Sequence, residues 1–383
     1  MQYNEKSAGI YIHIPFCRKA CHYCNFHFST SMAQKSAYVD ALIQEIDMRA
    51  SYLTDREVGS IYFGGGTPSL LSGEELDRIM SALHSRFVIA SGAEVTLEAN
   101  PDDIKEETLS FWKKNGINRL SIGVQSFRDT DLRRMNRAHT SAEATGAIAM
   151  AQDFGLSNIS ADLMYGLPDL DDDAWTMNIH TLVSMGVQHI SSYALTIEPK
   201  TALAYFVATG KEKPLSDAAT ERQFHYLRGY LQEQGFKHYE ISNFGKEGYF
   251  AVHNSGYWRG MMYLGLGASA HSYNGESRQW NIAQNAAYIK GLQEGTPVFE
   301  QEILTESMRM HESIMISLRT QWGLSLNKFG AQFGEEALQQ LRAVSATLMH
   351  SGQLEEHEGH LHIPRSYWFI ADSIIASLFF DIA

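Results

Sequence analysis

Three segments of the chain repeat a short pattern in which a glycine ends a helix and leads into an apolar strand. They are Gly116-Ile-Asn-Arg-Leu-Ser, Gly155-Leu-Ser-Asn-Ile-Ser and Gly186-Val-Gln-His-Ile-Ser. A glycine suits the left-handed position that follows a helix. Repeated returns from helix to strand predict βα units, which build a parallel sheet with right-handed crossovers. The pattern leaves open whether that sheet is open or curled into a barrel.

Six β-rich runs alternate with amphipathic helical patterns up to about residue 200. The runs are Gly9–Ile14, Ser60–Phe63, Glu94–Ala99, Asn118–Ile122, Asn158–Leu163 and His189–Ala194. Capping boxes, formed by Ser72 with Glu75 and by Thr140 with Glu143, predict the starts of two of the helices. The sequence therefore predicts an α/β fold for this part of the chain.

Polar residues and glycines gather where the predicted strands end. In chain order they are Cys17, the loop Gly64-Gly65-Gly66-Thr67, Glu98 with Asn100, Gln125 and Asp162. Ligands of parallel α/β folds bind at the carboxyl edge of the strands, whether the sheet is a barrel or open. We therefore expect a binding site at this edge.

All three cysteines of the chain lie in the motif Cys17-x-x-x-Cys21-x-x-Cys24. A disulfide framework is excluded because no further thiol exists, and such a cluster indicates a metal site in a reducing compartment, by default the cytoplasm. Three thiolates can hold a 4Fe–4S cluster and leave one iron open, as catalytic zinc leaves one position open. The alternative is a zinc site whose fourth ligand is one of the nearby histidines, His13, His22 and His27.

The regular alternation of strand and helix patterns ends at about residue 200. We expect two domains, at residues 1–235 and 236–383. Residues 325–383 suggest two helices, a hairpin around His357–His360 and a last helix, an order that resembles a winged helix. This stretch carries three Lys and Arg against seven Asp and Glu, and the chain has a net charge of −13. That balance argues against a nucleic-acid partner. No apolar run approaches the ~20 residues of a transmembrane helix.

The segment Tyr11-Ile-His-Ile-Pro-Phe-Cys17-Arg-Lys-Ala-Cys21-His-Tyr-Cys24 resembles the signature of the radical S-adenosylmethionine (SAM) family. Three other segments resemble a group in that family that holds oxygen-independent coproporphyrinogen III oxidases and heme chaperones. They are Tyr62-Phe-Gly-Gly-Gly-Thr-Pro-Ser69, Asp162-Leu-Met-Tyr-Gly-Leu-Pro168 and His253-Asn-Ser-Gly-Tyr-Trp258. The resemblance covers nearly the whole chain. It implies a partial (β/α)6 barrel, then a smaller α+β C-terminal domain that is winged-helix-like at its end.

In that family, SAM binds the open iron of a 4Fe–4S cluster, and its reductive cleavage gives methionine and a 5′-deoxyadenosyl radical. The resemblance therefore implies that Cys17, Cys21 and Cys24 are the cluster ligands. It also implies SAM contacts at Tyr11, Gly65, Gly66, Thr67, Glu98, Gln125, Arg137 and Asp162. Tyr23, between two cysteines, is a candidate wall for the second face of the site.

The residue types fit these roles. The glycines allow a close approach to SAM, and exposed N–H groups in their loop could hold its carboxylate. Glu98 and Asp162 could accept hydrogen bonds from its ammonium group or ribose hydroxyls. Taken without the resemblance, Arg137 suits a charge on a surface helix equally well.

Two departures separate this chain from the oxidases it resembles. The oxidases carry a fourth cysteine where this chain has Phe26, and a longer segment before the cluster loop, where this chain has sixteen residues. The heme chaperones lack that cysteine and carry the motif H-N-x-x-Y-W, matched here by His253, Asn254, Tyr257 and Trp258. The resemblance thus implies a cytoplasmic chaperone that binds heme, a 4Fe–4S cluster and SAM. It would deliver heme to acceptor proteins, which can include membrane-associated ones.

Alternatives remain for the heme ligand and for the activity. His253 is the candidate axial ligand, but it also suits a structural cluster in which it caps a turn and the aromatic residues fill a core. His271 and the histidines of 357–362 are other available imidazoles, and we expect the latter to be solvated hairpin residues. The alternative function is an enzyme, a radical SAM decarboxylase that acts on the propionates of coproporphyrinogen III. Whether SAM is cleaved in the functional cycle stays open.

Overall fold

The computed structural model describes residues 7–53 and 57–381, and one large sheet dominates them. Twelve strands pair side by side in this part of the chain, in the order β12-β11-β10-β9-β1-β2-β3-β4-β5-β6-β8-β7. Their bounds are β1 (Ala8–Ile14), β2 (Glu57–Gly65), β3 (Val88–Ala99), β4 (Arg119–Gln125), β5 (Ile159–Tyr165), β6 (His189–Ala194), β7 (Lys237–Glu240), β8 (Asn243–Gly245), β9 (Tyr263–Leu266), β10 (His271–Tyr273), β11 (Ser277–Asn281) and β12 (Phe299–Ile303). All of the β-rich runs expected from the sequence fall on the first six strands.

Strands β1 to β6 are neighbours in chain order, and every adjacent pair among them is parallel. This arrangement confirms the partial (β/α)6 barrel. The six strands do not close on themselves, because β9 pairs with the outer side of β1 and β8 with the outer side of β6. β3 begins six residues before the predicted run, since its first residues are not buried and show no apolar alternation.

Helices connect the strands and cover the sheet. Their bounds are α1 (Lys35–Arg49), α2 (Gly73–Arg86), α3 (Glu106–Lys114), α4 (Asp129–Arg134), α5 (Ser141–Asp153), α6 (Asp172–Ser184), α7 (Ala202–Ala208), α8 (Asp217–Glu233), α9 (Val252–Trp258), α10 (Asn285–Gln293), α11 (Glu306–Leu318), α12 (Leu326–His350) and α13 (Ala371–Ala376). Both predicted capping boxes are present, at the starts of α2 and α5. Over the described ranges, no helix combines the length and the apolarity needed to cross a membrane.

The C-terminal part has the order predicted for a winged helix. Helix α11 is followed by β13 (Leu324–Ser325), α12, and a hairpin of β14 (Glu355–His357) and β15 (His360–His362). β15 pairs with both β13 and β14 in a small antiparallel sheet. Gly334, with φ of 90° and ψ of 167°, interrupts α12 and yields the two expected helices. A positive φ of this kind favours glycine.

The division proposed at residue 235 falls inside the large sheet. Strands β7 to β12 lie after this residue, yet β8 continues the sheet from β6 and β9 continues it from β1. Strands that follow residue 235 therefore continue the backbone hydrogen bonding of the barrel strands. This places residues from beyond position 250 directly beside β1, the strand that leads into the cysteine loop.

Candidate functional site

The loop that follows β1 carries the three cysteine thiols, all of them partly buried. The Thr67 hydroxyl lies 3.4 Å from Cys17 Sγ. Burial raises the pKa of the Cys17 thiol to about 11, against the hydrogen bond from Thr67, and charge repulsion from Cys24 and Cys21 adds to the rise. The three sulfurs therefore share one site, where thiolates need a cationic centre to stabilise them.

This donor set fits an iron–sulfur cluster. Residues 7–53 and 57–381 hold no group of three or more His, Cys, Asp or Glu side chains placed around a single metal ion. In a cluster, each thiolate binds its own iron, so the thiolates need not converge on one point. Each histidine offered for zinc has at least one ring nitrogen engaged elsewhere: His13 Nε2 bonds the carbonyl of His27, His22 Nδ1 the carbonyl of Arg134, and His27 Nε2 the side chain of Asn285.

The glycine loop after β2 packs directly on the cysteine loop. Gly65 has a φ of 106°, and a side chain on Gly66 would lie 2.8 Å from both the carbonyl oxygen of Ile14 and the nitrogen of Phe16. The Gly65 N–H donates to Glu98 Oε2 (3.2 Å), and the Gly66 N–H donates to the carbonyl of Ile14 (3.0 Å). The expectation that these N–H groups are exposed is therefore wrong for both glycines. Their absent side chains instead allow the two loops to approach.

Two carboxyl groups, both partly buried, face the interior of the barrel. Burial raises the pKa of Glu98 to about 7, against a hydrogen bond from the Tyr62 hydroxyl (2.8 Å), and the nearby Asp162 adds to the rise. Burial likewise raises the pKa of Asp162 to about 7, against hydrogen bonds from Ser191 and Ser121. Both groups can therefore exist near neutral pH as acid or carboxylate, and a cationic ligand would favour the carboxylate.

Arg137 turns inward, towards the cysteines. It lies in the loop between α4 and α5, and its guanidinium donates to Asn100 Oδ1 (2.8 Å) and to the carbonyl of Gly123 (2.7 Å). Nη1 of the same group lies 3.4 Å from Cys21 Sγ. Its Nε is buried and has no partner among the described residues. These contacts rule out the alternative in which Arg137 is a charge on a surface helix.

Gln125 and the two tyrosines stand around the same centre. Gln125 ends β4 with a φ of 68°. Its side-chain amide nitrogen and Arg137 Nη2 both lie about 3 Å from the position that a Cβ atom on Gly123 would take, so the two groups are close to each other. The Tyr11 hydroxyl bonds His13 Nδ1 (3.1 Å). Burial raises the pKa of Tyr23, and the adjacent Arg137 opposes the rise while Cys21 adds to it. The structure thus brings the predicted SAM contacts to the carboxyl edge of the barrel and, for Tyr11 and Asp162, to the middle of the strands that lead to that edge.

His253 does not share that edge and is buried. Its side chain is 1% exposed, its Nδ1 lies 2.8 Å from the Ser60 hydroxyl, and its Nε2 lies 2.8 Å from the Tyr257 hydroxyl. Burial lowers its pKa to about 3. Both ring nitrogens are engaged, so His253 is not placed to bind iron here. His253 instead fits the alternative interpretation, in which it belongs to a structural cluster with neighbouring aromatic residues.

A cavity of about 990 Å³ opens beside the cysteine loop, between the sheet and α11. Phe26, which is 67% exposed, lines it from the cysteine loop, and Trp258 and Trp322 line it from the part of the chain after residue 235. Among the described lining residues, four are cationic and one is acidic: Arg259, Arg278, Arg309 and Lys328, against Glu312. The cavity is therefore positive, although the chain carries a net charge of −13.

Sequence reasoning missed this cavity and the supporting roles of Tyr62 and Asn100, although it placed Asn100 at the carboxyl edge of the strands. Tyr62 bonds Glu98 and stacks on Tyr11, with ring centres 6.1 Å apart. Asn100 Nδ2 donates to the Thr67 hydroxyl (3.4 Å) and its Oδ1 accepts from Arg137. The signal in the sequence that could have identified these two residues is their position near strand ends, beside glycines or an acidic residue. The cavity walls come from separate parts of the chain and left no local pattern.

The comparisons with known proteins agree with this geometry. A model described as "Radical SAM superfamily" matches residues 11–182, and one described as "HemN C-terminal domain" matches residues 304–370. The solved structure of coproporphyrinogen III oxidase (HemN) from Escherichia coli, a radical SAM enzyme, matches with a TM-score of 0.84. It is 23% identical, with 98% of this chain and 91% of that chain covered. At that identity the match shows the fold.

Relatives that carry the name "Heme chaperone HemW" include two whose similarity to this chain is high over most of its length. The protein from Mycobacterium tuberculosis is 34% identical over 375 residues, which are 97% of this chain and 94% of that protein. The protein from Escherichia coli is 38% identical over 267 residues, 69% of each chain. The fold and the cysteine site define a radical SAM protein. Within that superfamily, the chain belongs to the HemW family.

Proposed function

We propose that this chain is a heme chaperone that binds heme, a 4Fe–4S cluster and SAM, and transfers heme to acceptor proteins. The observation that carries the proposal is the positively charged cavity of about 990 Å³ beside the cysteine loop. Its size lies at the upper end of the ~300–1,000 Å³ typical of small-molecule and cofactor sites. Heme is a large aromatic ring with two carboxylates, so aromatic and cationic walls suit it. The names of the relatives support the same function.

The cysteine site would hold the cluster and SAM. Cys17, Cys21 and Cys24 would bind the cluster, and Arg137 beside Cys21 would offset the negative charge of the thiolates. Glu98 and Asp162 would accept hydrogen bonds from SAM. Its other contacts would come from Tyr11, Gly65, Gly66, Thr67, Gln125 and Arg137, with Tyr23 as a wall. When bound, the cluster and SAM supply one-electron reductive cleavage to a 5′-deoxyadenosyl radical.

Phe26 favours a chaperone over the decarboxylase. It takes the place of the fourth cysteine of the oxidases and projects an exposed ring into the large cavity. An apolar group there extends the binding surface for a porphyrin and adds no cluster ligand or acid–base group. The reduced cysteine cluster supports a cytoplasmic location, because such thiols persist in a reducing compartment.

The test is heme transfer by the full chain. Protein reconstituted without oxygen is loaded with one equivalent of ferric heme and mixed with an apo-protein that reports heme uptake by its absorbance. We expect binding of about one heme per chain and transfer that is faster than from free heme. Absence of specific heme binding would contradict the proposal. A vinyl product from coproporphyrinogen III with SAM and a reductant would establish the decarboxylase instead.

A further inference from the structure

We infer that His271 is the axial heme ligand in the large cavity and that Arg309 anchors a propionate there. This inference rests on the proposed heme-binding function and identifies the residues that perform it. The heme iron would then bind at the extension of the sheet formed by β9, β10 and β11, and not at the buried His253.

One face of this sheet extension forms a wall of the cavity. His271 and Tyr273 stand two residues apart on β10, so their side chains point to the same side. Tyr273 pairs with Arg278 on β11 and with Tyr263 on β9. These three residues and His271 all line the cavity. Ser272, between them, is buried on the other side, where its hydroxyl accepts from the Gly265 N–H (2.9 Å). The imidazole of His271 is therefore directed into the cavity by strand alternation.

His271 is also the cavity histidine whose ring nitrogens are available. Within the ranges that the structure describes, neither of its ring nitrogens takes part in a hydrogen bond, and its side chain is exposed. The other lining histidines are engaged: His13 through both nitrogens, His27 through Nε2 to Asn285 (2.8 Å), and His360 through Nδ1 to the carbonyl of Glu358 (3.2 Å). Partial desolvation against the cavity wall and the charge of Arg278 lower the pKa of His271. The neutral imidazole, the form that binds iron, is thereby favoured.

Helix α11 supplies the charge for a carboxylate. Arg309, Glu312 and Ile316 follow one another at helical spacing on α11 and line the cavity together. Glu312 is already paired with Arg278 of β11. Arg309 has no carboxylate partner among the residues that the structure describes, and its charge acts on Tyr273. A cavity lined by both an unneutralised guanidinium and a free imidazole suits a ligand with both a metal centre and carboxylates.

The ligand is tested by heme titration of the cluster-loaded full chain. His271→Ala should weaken the affinity for ferric heme about tenfold or more, a loss of ~1.4 kcal/mol per factor of ten. It should also remove the absorbance and electron paramagnetic resonance signature of an imidazole-bound heme. Added imidazole should restore that signature, since the cavity remains. The control His84→Ala, which removes an exposed histidine outside the cavity, should leave both affinity and spectrum unchanged.

The anchor is tested with heme and its dimethyl ester, in which both carboxylates are blocked. Arg309→Gln should weaken heme binding several-fold and leave binding of the ester unchanged, whereas Arg78→Gln, on the exposed face of α2, should affect neither. Equal effects on both ligands would refute the anchor. A His271→Ala variant with wild-type affinity and spectrum would overturn the ligand assignment alone. A wild-type chain that binds no heme would overturn the proposed function itself.

Discussion

Arg137 Nη1 lies 3.4 Å from Cys21 Sγ, although 115 residues separate the two in the chain. The same guanidinium donates to Asn100 at the end of β3 and to Gly123 on β4. One side chain therefore ties the second cysteine to two strands of the barrel. Because the group is cationic and partly buried, it also stabilises negative charge on the cysteine sulfurs.

Replacing Arg137 with lysine should separate its hydrogen bonds to the two strands from its positive charge beside the cysteine sulfurs. Arg137→Lys keeps the charge but loses the planar fork that contacts Asn100, Gly123 and Cys21 at once. We expect the variant to retain its cluster and to bind SAM about tenfold more weakly, a loss of ~1.4 kcal/mol. Isothermal titration with SAM and iron analysis provide the measurements. The control is Arg133→Lys, an exposed neighbour on α4. Unchanged SAM affinity in Arg137→Lys would refute the role.

Gly66 should tolerate no side chain. A Cβ atom there would lie 2.8 Å from the backbone of Ile14 and Phe16, and backbone atoms cannot turn aside as a flexible side chain can. Gly66→Ala should therefore lower the free energy of unfolding by about 1–3 kcal/mol and weaken cluster binding. At Gly92, on β3, a Cβ would meet nothing within 4 Å. Denaturant titration should show almost no change for Gly92→Ala, and equal losses in the two variants would contradict this account.

SAM binding should tighten as the pH rises from 6 to 7.5. The pKa values of Glu98 and Asp162 are raised to about 7, so the protonated forms predominate below that pH and must lose protons to pair with cationic SAM. The affinity should rise by up to about tenfold per pH unit for each carboxyl that ionises. Calorimetry in buffers of different ionisation enthalpy should detect proton release. Glu98→Gln should reduce it, and a wild-type affinity independent of pH would oppose the proposal.

The same two carboxyls should affect stability in the opposite sense. A pKa raised in the folded state means that folding favours the protonated acid. Their contribution to the free energy of unfolding is full below the pKa of the unfolded chain, near ~4, and is lost as the pH rises through about 7. Unfolding at pH 5 and pH 8, compared between the wild type and an Asp162→Asn variant, should show a smaller pH dependence in the variant.

His253 should matter for stability rather than for heme. Its removal leaves the hydroxyls of Ser60 and Tyr257 without their partner and opens a space against Tyr62, whose ring it stacks on with centres 5.3 Å apart. His253→Ala should lower the free energy of unfolding by about 2–4 kcal/mol. The folded variant should keep the heme spectrum of the wild type. Loss of heme binding with unchanged stability would reverse this interpretation.

Local patterns predicted much of this structure. Strand runs, capping boxes and the positions of polar residues at strand ends were sufficient for a parallel α/β sheet with a site at its carboxyl edge, because each depends on neighbours in the chain. The closure towards a barrel was implied by the family resemblance. The contacts that decide the site are not local. β9 lies beside β1 across more than 200 residues, and His253 bonds Ser60 across 193. No periodicity could reveal that the N–H groups of Gly65 and Gly66 were already bonded or that a cavity lay beside the cysteines.

Whether the three cysteines hold a 4Fe–4S cluster that binds SAM is tested most directly by spectroscopy of the cluster after reconstitution without oxygen. We expect about four irons per chain. We also expect an electron paramagnetic resonance signal of the reduced cluster that changes when SAM is added, and loss of that signal in Cys17→Ala, Cys21→Ala and Cys24→Ala but not in Thr30→Ala. A chain with intact thiols that takes up only zinc, or whose cluster signal is indifferent to SAM, would contradict this expectation.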